Sequence, residues 1–175
     1  MFVIDLVDRA VRRFEDVLDR LAQLALFIMM VLICADAGGR YLLDKPVPAA
    51  YEMTEMYLMI GVVFLALARN QALGGNVAVD FLVQLASPGW RRLLGFLYVA
   101  SAFLVYLGIA YMATRMAVQN FSLGRWTHGA FPLPTGPSWA LFAAGAIAMT
   151  LRLALQMLRA LRGQEIYDPS LGGHH

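Results

Sequence analysis

Residues 93–114 read LLGFLYVASAFLVYLGIAYMAT, a run of 22 residues without one formal charge. At helical rise the run extends about 33 Å, enough to cross the roughly 30 Å hydrocarbon layer of a bilayer. The rest of the chain agrees with that reading. Of its 175 residues 60% are apolar and 15% charged, and the mean hydropathy is +0.62. A soluble domain is roughly 45–50% apolar and about 25% charged. A chain this short leaves much of its surface facing solvent and cannot hide such an excess. Lipid is the solvent that suits it, and a cytosolic globular enzyme does not fit.

Three further crossings flank this run. Leu21 to Ala35 is uncharged and continues to Leu43 once Asp36 and Arg40 are tolerated. Met56 to Ala68 is uncharged, with a helix start near Tyr51. Trp126 to Leu151 lacks Asp, Glu, Lys and Arg, but Pro132, Pro134 and Pro137 delay its helix until Pro137, capped by Gly136 or Thr135. The sequence therefore predicts an all-α integral membrane protein with four transmembrane helices over 20–43, 51–72, 92–116 and 137–162. Residues 1–162 are expected to form a single four-helix membrane domain. Residues 163–175 are expected to be a cytoplasmic tail whose terminal Gly-Gly-His-His has the form of an expression remnant.

Basic residues set the expected orientation. Ten lie in the N-terminal segment, the second connection and the C-terminal segment: Arg9, Arg12, Arg13, Arg20, Arg69, Arg91, Arg92, Arg152, Arg159 and Arg162. Four lie in the first and third connections: Arg40, Lys45, Arg115 and Arg125. Both termini are thus expected in the cytoplasm, which requires an even number of crossings. Ala35-Asp36-Ala37 has the form of a signal cleavage site, but Asp5, Asp8, Glu15, Asp16 and Asp19 upstream are unlike a basic leader, so the segment is expected to be retained.

Ahead of the first crossing, Val3, Val7, Ala10, Phe14, Val17 and Leu21 recur at spacings of four and three. This predicts an amphipathic helical extension that runs into the crossing, since no Gly or Pro occurs before Gly38. It is expected to lie in the headgroup region; the alternative, which its mixed charge suits, is docking on another subunit. Between the second and third crossings, Gly74-Gly75-Asn76 opens a stretch through Ala86 that is too short to span. A short interfacial helix is expected there, capped by Asn76, with Asp80 and Gln84 on one face, and ended by Ser87-Pro88-Gly89. Trp90 is then placed at the interface, with Arg91 and Arg92 beside lipid headgroups. The third connection, Gln119 to Gly136, holds Trp126, His128 and Phe131. Trp126 and Trp139 can form an aromatic belt.

Ionisable groups at membrane depth cost roughly 2.5–3.5 kcal/mol each and mark candidate sites. Asp36 and Arg40 are one turn apart near the outer end of the first helix, in the favourable acid-before-base order. Glu52 and Glu55 share a face at the start of the second, where the helix dipole favours carboxylates. Two readings stay open: an ion-pair clamp between helix ends, or a polar rim that contacts a partner. A proton path is disfavoured, because the third and fourth crossings contain no carboxylate. Ala140, Ala144 and Ala148 form a small-residue stripe suited to close helix packing, either within the four-helix unit or against a second polypeptide.

Other chemistries lack their residues. The three histidines are His128 in a connection and His174 and His175 at the end, which cannot supply a haem ligand pair within the helices. Cys34 stands alone and cannot form an internal disulfide. Metalloprotease, hydrolase and nucleotide-binding motifs are missing. A net charge of +2 does not suit nucleic acid. No catalytic, substrate-binding or metal residue and no cofactor is expected.

Several motifs together resemble one family. Gly39-Arg40-Tyr41 closes the first crossing, Pro46 with Glu52 and Glu55 opens the second, and Arg69 follows. Gly74-Gly75-Asn76-Val77-Ala78-Val79-Asp80, Pro137-Ser138-Trp139 and Leu151-Arg152-Leu153 complete the set. Across residues 20–162 the chain is similar to the small membrane subunit of TRAP transporters, the tripartite ATP-independent periplasmic uptake systems. Asn76 stands where that family usually has His, so a role that needs the His is absent or altered here. The resemblance implies a non-catalytic scaffold subunit in the bacterial inner membrane, part of a sodium-coupled secondary transporter. It would pack against a large elevator-type subunit and work with a periplasmic solute-binding protein. The alternative is a self-contained homo-oligomeric channel or small carrier, lined by Asp36, Arg40 and Gly38-Gly39. A haem-bearing oxidoreductase anchor is a third reading.

Overall fold

The computed structural model describes residues 2–73, 88–128 and 131–161. The expected interfacial helix with its Gly74–Asp80 motif, and the expected tail from 163 onward, lie outside the described residues. Four helices are long and apolar enough to cross a membrane. They are α1 (Phe2–Leu43), α2 (Ala50–Ala72), α3 (Pro88–Leu123) and α4 (Gly136–Leu161).

Helix α1 is unbroken over 42 residues, about 63 Å and twice the hydrocarbon thickness. The amphipathic extension and the first crossing are therefore one rod, which cannot lie flat in the headgroup layer while its other half spans. The rod stops at Leu43 because Asp44 takes a left-handed φ of 52° and Pro46 and Pro48 follow. A residue before proline is pushed out of helical geometry. The Lys45 N–H donates back to the Gly39 carbonyl at 3.1 Å. A Cβ on Gly39 would lie 2.6 Å from the Lys45 carbonyl oxygen, so the fold-back requires glycine there.

Helix α2 contains a π segment, Thr54–Leu58, between α-helical Ala50–Met53 and Met59–Ala72. Helix α3 begins at Pro88, which the sequence reading assigned to the end of the preceding helix. Proline suits the first helical position because its missing N–H would have no partner there. The helix also runs to Leu123, past the expected 116. Its late polar residues are satisfied along the helix: Asn120 Nδ2 donates to the Met116 carbonyl at 2.7 Å, and Ser122 Oγ to the Gln119 carbonyl at 3.0 Å. Gly124, at φ 56°, ends α3 in a Schellman turn, with Arg125 N–H to Asn120 and Gly124 N–H to Phe121.

The four helices form an open row in the order α1, α2, α4, α3. Helix α4 is the centre: half of its span is buried, against 17% or less for each of the others. The reason lies in its residues. On one side Gly145 lets α4 approach the Phe64 backbone so closely that any Cβ would overlap it. Ala148 packs beside it with Leu18, Ala22, Leu65 and Ala68, and Ala144 and Leu141 join them. On the other side Met149 and Leu153 pack with Val99, Tyr98, Ala102 and Phe103 of α3. Phe64 and Phe142 meet edge to face at 4.2 Å. The alanine stripe is therefore used within the chain, with Ala148 fully buried and Ala140 and Ala144 partly so.

Candidate functional site

Within the chain, helix α1 does not pack through the apolar stripe of its sequence. Phe14, Val17 and Leu21 are exposed, and so is Ala10. The buried positions are Asp8, Val11, Glu15, Leu18 and Ala22. In water an apolar stripe turns inward, but beside a bilayer it can stay outside against the headgroup layer, and the polar face gains by turning in to find partners.

Each acid on this inward face meets an arginine from another helix. Glu15, with no exposed surface, accepts two bonds from Arg152 of α4, one from Nε at 2.6 Å and one from Nη2. Asp8 takes Arg159 Nη2 at 2.9 Å and its own helix's Arg12 Nε at 2.7 Å, with Arg152 Nη1 at 3.5 Å. Asp16 takes Arg69 Nη1 of α2 at 2.6 Å. One turn from Arg152, Gln156 accepts a buried 3.0 Å bond from Gln71 of α2. The result is a charged seam at the end of the row where α1 starts and α4 finishes. Bidentate arginine–carboxylate pairs fix direction as well as distance. Buried pairs are costly to break, because the surviving charge is stranded away from water. This seam locks helices together; its charges are spent on one another.

Sequence reasoning counted Arg69, Arg152 and Arg159 as orientation markers, with Arg69 and Arg152 also in the family motifs, and Asp8, Glu15 and Asp16 as unlike a basic leader; it paired none of them. A signal was nevertheless present. Asp8 and Glu15 are seven residues apart, as are Arg152 and Arg159. Two antiparallel helices bring such pairs into register, Glu15 with Arg152 and Asp8 with Arg159.

The opposite end holds the predicted rim residues. Asp36 accepts Arg40 Nε at 2.8 Å and, with its other oxygen, the Val47 N–H at 2.9 Å. It thereby pins the α1–α2 connection. Glu52 is half-buried and Glu55 exposed, and among the described residues neither pairs with Arg40. Of the two readings, a clamp through Arg40 to these acids is not formed among the described residues, and the ion pair lies within one helix. Glu55 lies in the π segment, whose wider turn opens its angle to Glu52. Tyr57, from the same segment, donates its hydroxyl to the Pro134 carbonyl at 2.6 Å. Thr135 bonds Asn120 Oδ1 at 2.7 Å, so the third connection is tied to both neighbours. Trp126 is exposed and stands opposite Pro134, where the Thr127 N–H donates to the Leu133 carbonyl at 2.9 Å and the Thr135 N–H to the Arg125 carbonyl at 3.0 Å, whereas Trp139 packs edge-on against Phe142. Trp90 is exposed in the first turn of α3, next to Arg91 and Arg92, whose side chains lie outside the described part.

An open groove of about 480 Å³ runs between α1 and α2, lined by Val63, Ala66, Leu67, Arg69 and Asn70, among others. It opens sideways and does not enclose a solute.

The sequence pattern of a family described as "Tripartite ATP-independent periplasmic transporters, DctQ component" matches residues 29–163, well over half of the chain. The chain matches no curated protein and no solved structure.

Proposed function

Because the chain belongs to the DctQ component family of tripartite ATP-independent periplasmic transporters, we propose that it is the scaffold subunit of such a transporter. On this reading it is a non-catalytic, multi-pass subunit of the bacterial inner membrane with both termini in the cytoplasm. It would brace a large elevator-type subunit that moves the solute with sodium, while a periplasmic solute-binding protein delivers the cargo.

The observation that supports this best is the division of labour within the row. At the α1-start end the acids Asp8, Glu15 and Asp16 are taken up in pairing α1 with α2 and α4, which suits a rigid brace rather than a pathway. The outer faces of α1 and α3 keep long apolar surfaces, including Leu24, Phe27, Ile28 and Val31 on α1 and Leu97, Leu104 and Tyr111 on α3. Such surfaces suit lipid or a second membrane protein.

Co-expression with the large membrane subunit tests the reading. The expected result is a stable complex that co-purifies and restores solute uptake. A homogeneous chain that never co-purifies with a large subunit, and that alone passes solute or ions in vesicles, would favour the self-contained channel instead.

A further inference from the structure

The inward pairing of the acids leaves a different surface on the outside of α1. Asp8, Glu15 and Asp16 are engaged with arginines, and Asp19 accepts a 2.9 Å bond from Gln23. Arg13 and Arg20 are exposed and pair with no acid among the described residues. They stand two helical turns apart on one side of the rod, separated by about 10 Å. Phe14, Val17 and Leu21 run alongside them, 41%, 54% and 46% exposed. Asp8 and Glu15 are thus turned inward with Arg12 on Asp8, while Asp16, 45% exposed between Arg13 and Arg20, is neutralised by Arg69, so the net charge left on the outer face is that of the two arginines.

Depth along the rod places this face. From Arg40 back to Arg20 is about 30 Å, the thickness of the hydrocarbon layer. Arg20 then stands at the boundary of that layer and Arg13 about 10 Å beyond it, across the headgroups. Long arginine stems can reach toward a phosphate while their apolar carbons stay against the helix. A guanidinium is also shaped for phosphate oxygens.

We propose that the Arg13–Arg20 face of α1 binds an anionic phospholipid. The two guanidiniums bracket the headgroup phosphate from either side, and Val17 and Leu21 flank the start of the acyl chains. Charge complementarity selects this occupant: the outer face is basic and apolar together, as a lipid headgroup with its chains requires. The inference rests on the faces of α1 alone and stands apart from the transporter reading.

The test uses the full chain in nanodiscs of equimolar phosphatidylcholine and phosphatidylglycerol, extracted in mild detergent, with retained lipids quantified. The wild-type chain is expected to retain phosphatidylglycerol in excess. The R13Q/R20Q variant should lose that excess by up to about fivefold for each arginine, with an unchanged melting temperature, while R13K/R20K should keep most of it. Raising the salt from low to molar concentration should weaken the wild-type preference without any substitution. No excess in the wild type, an excess insensitive to salt, or an undiminished excess in R13Q/R20Q would each overturn the proposal. Loss of large-subunit binding in R13Q/R20Q with lipid retention unchanged would assign the face to protein and overturn it as well.

Discussion

The two ends of the row use the same kinds of charge for opposite purposes. At the α1-start end, Glu15 and Arg152 are buried and come from helices far apart in sequence, so their pairing joins helices. At the other end, Asp36 and Arg40 are neighbours on one helix, and Arg40 is 60% exposed. That pair serves the local path of the chain by holding the Val47 N–H. Burial decides the difference. An exposed i,i+4 pair contributes a few tenths of a kcal/mol, whereas a buried carboxylate stranded without its partner costs several.

Breaking the buried pair should give the largest effect. Glu15→Ala or Arg152→Ala is expected to destabilise the chain by about 3–5 kcal/mol, read as a fall in detergent-solubilised melting temperature. The paired replacement E15M/R152M should recover most of that loss, because no charge is left uncompensated. A single variant with wild-type stability would show that the seam is wetter than its burial implies. Gly145→Val comes next. Its side chain has no room against the Phe64 backbone, and α2 must move away from α4 at a cost of about 1–3 kcal/mol. Disulfide cross-linking between cysteines placed in α2 and α4 would report the separation. Asp36→Ala is expected to cost about 1 kcal/mol or less by freeing one backbone N–H and the exposed Arg40, and to raise protease sensitivity at the 44–49 connection. The smallest stability effect is expected from neutralising Glu52 and Glu55 together, within about 0.5 kcal/mol. That variant should still reduce assembly or uptake in the complete transporter if the rim meets a partner. Unchanged assembly and uptake would confine both acids to the local helix start.

The crossings were legible because length and hydropathy act on each helix separately. Residues 93–114 needed no knowledge of their neighbours to be read as a span, and Pro137 marked the start of α4 to within a residue. The arrangement was harder to read. Ala148 and Gly145 advertised close packing, but only the fold shows that α2 is the helix they admit. The seam was missed because periodicity counts apolar residues and assumes that water lies outside. Beside a bilayer the rule need not hold, and Phe14 and Val17 face away from the row. The π segment leaves no recognisable mark in Thr54–Leu58, because its wider turn follows from packing rather than from local preference.

The Glu15–Arg152 pair also has a consequence in time. The two residues are separated by 137 positions, so at a synthesis rate of about 5–20 residues per second the acid leaves the ribosome roughly 7–27 seconds before its base. During that interval the amino-terminal rod is held to α2 by Asp16 and Arg69, but Glu15 still lacks its base. Arrival of the last helix supplies that base, so a nascent chain halted before Arg152 keeps the carboxylate of Glu15 without its partner.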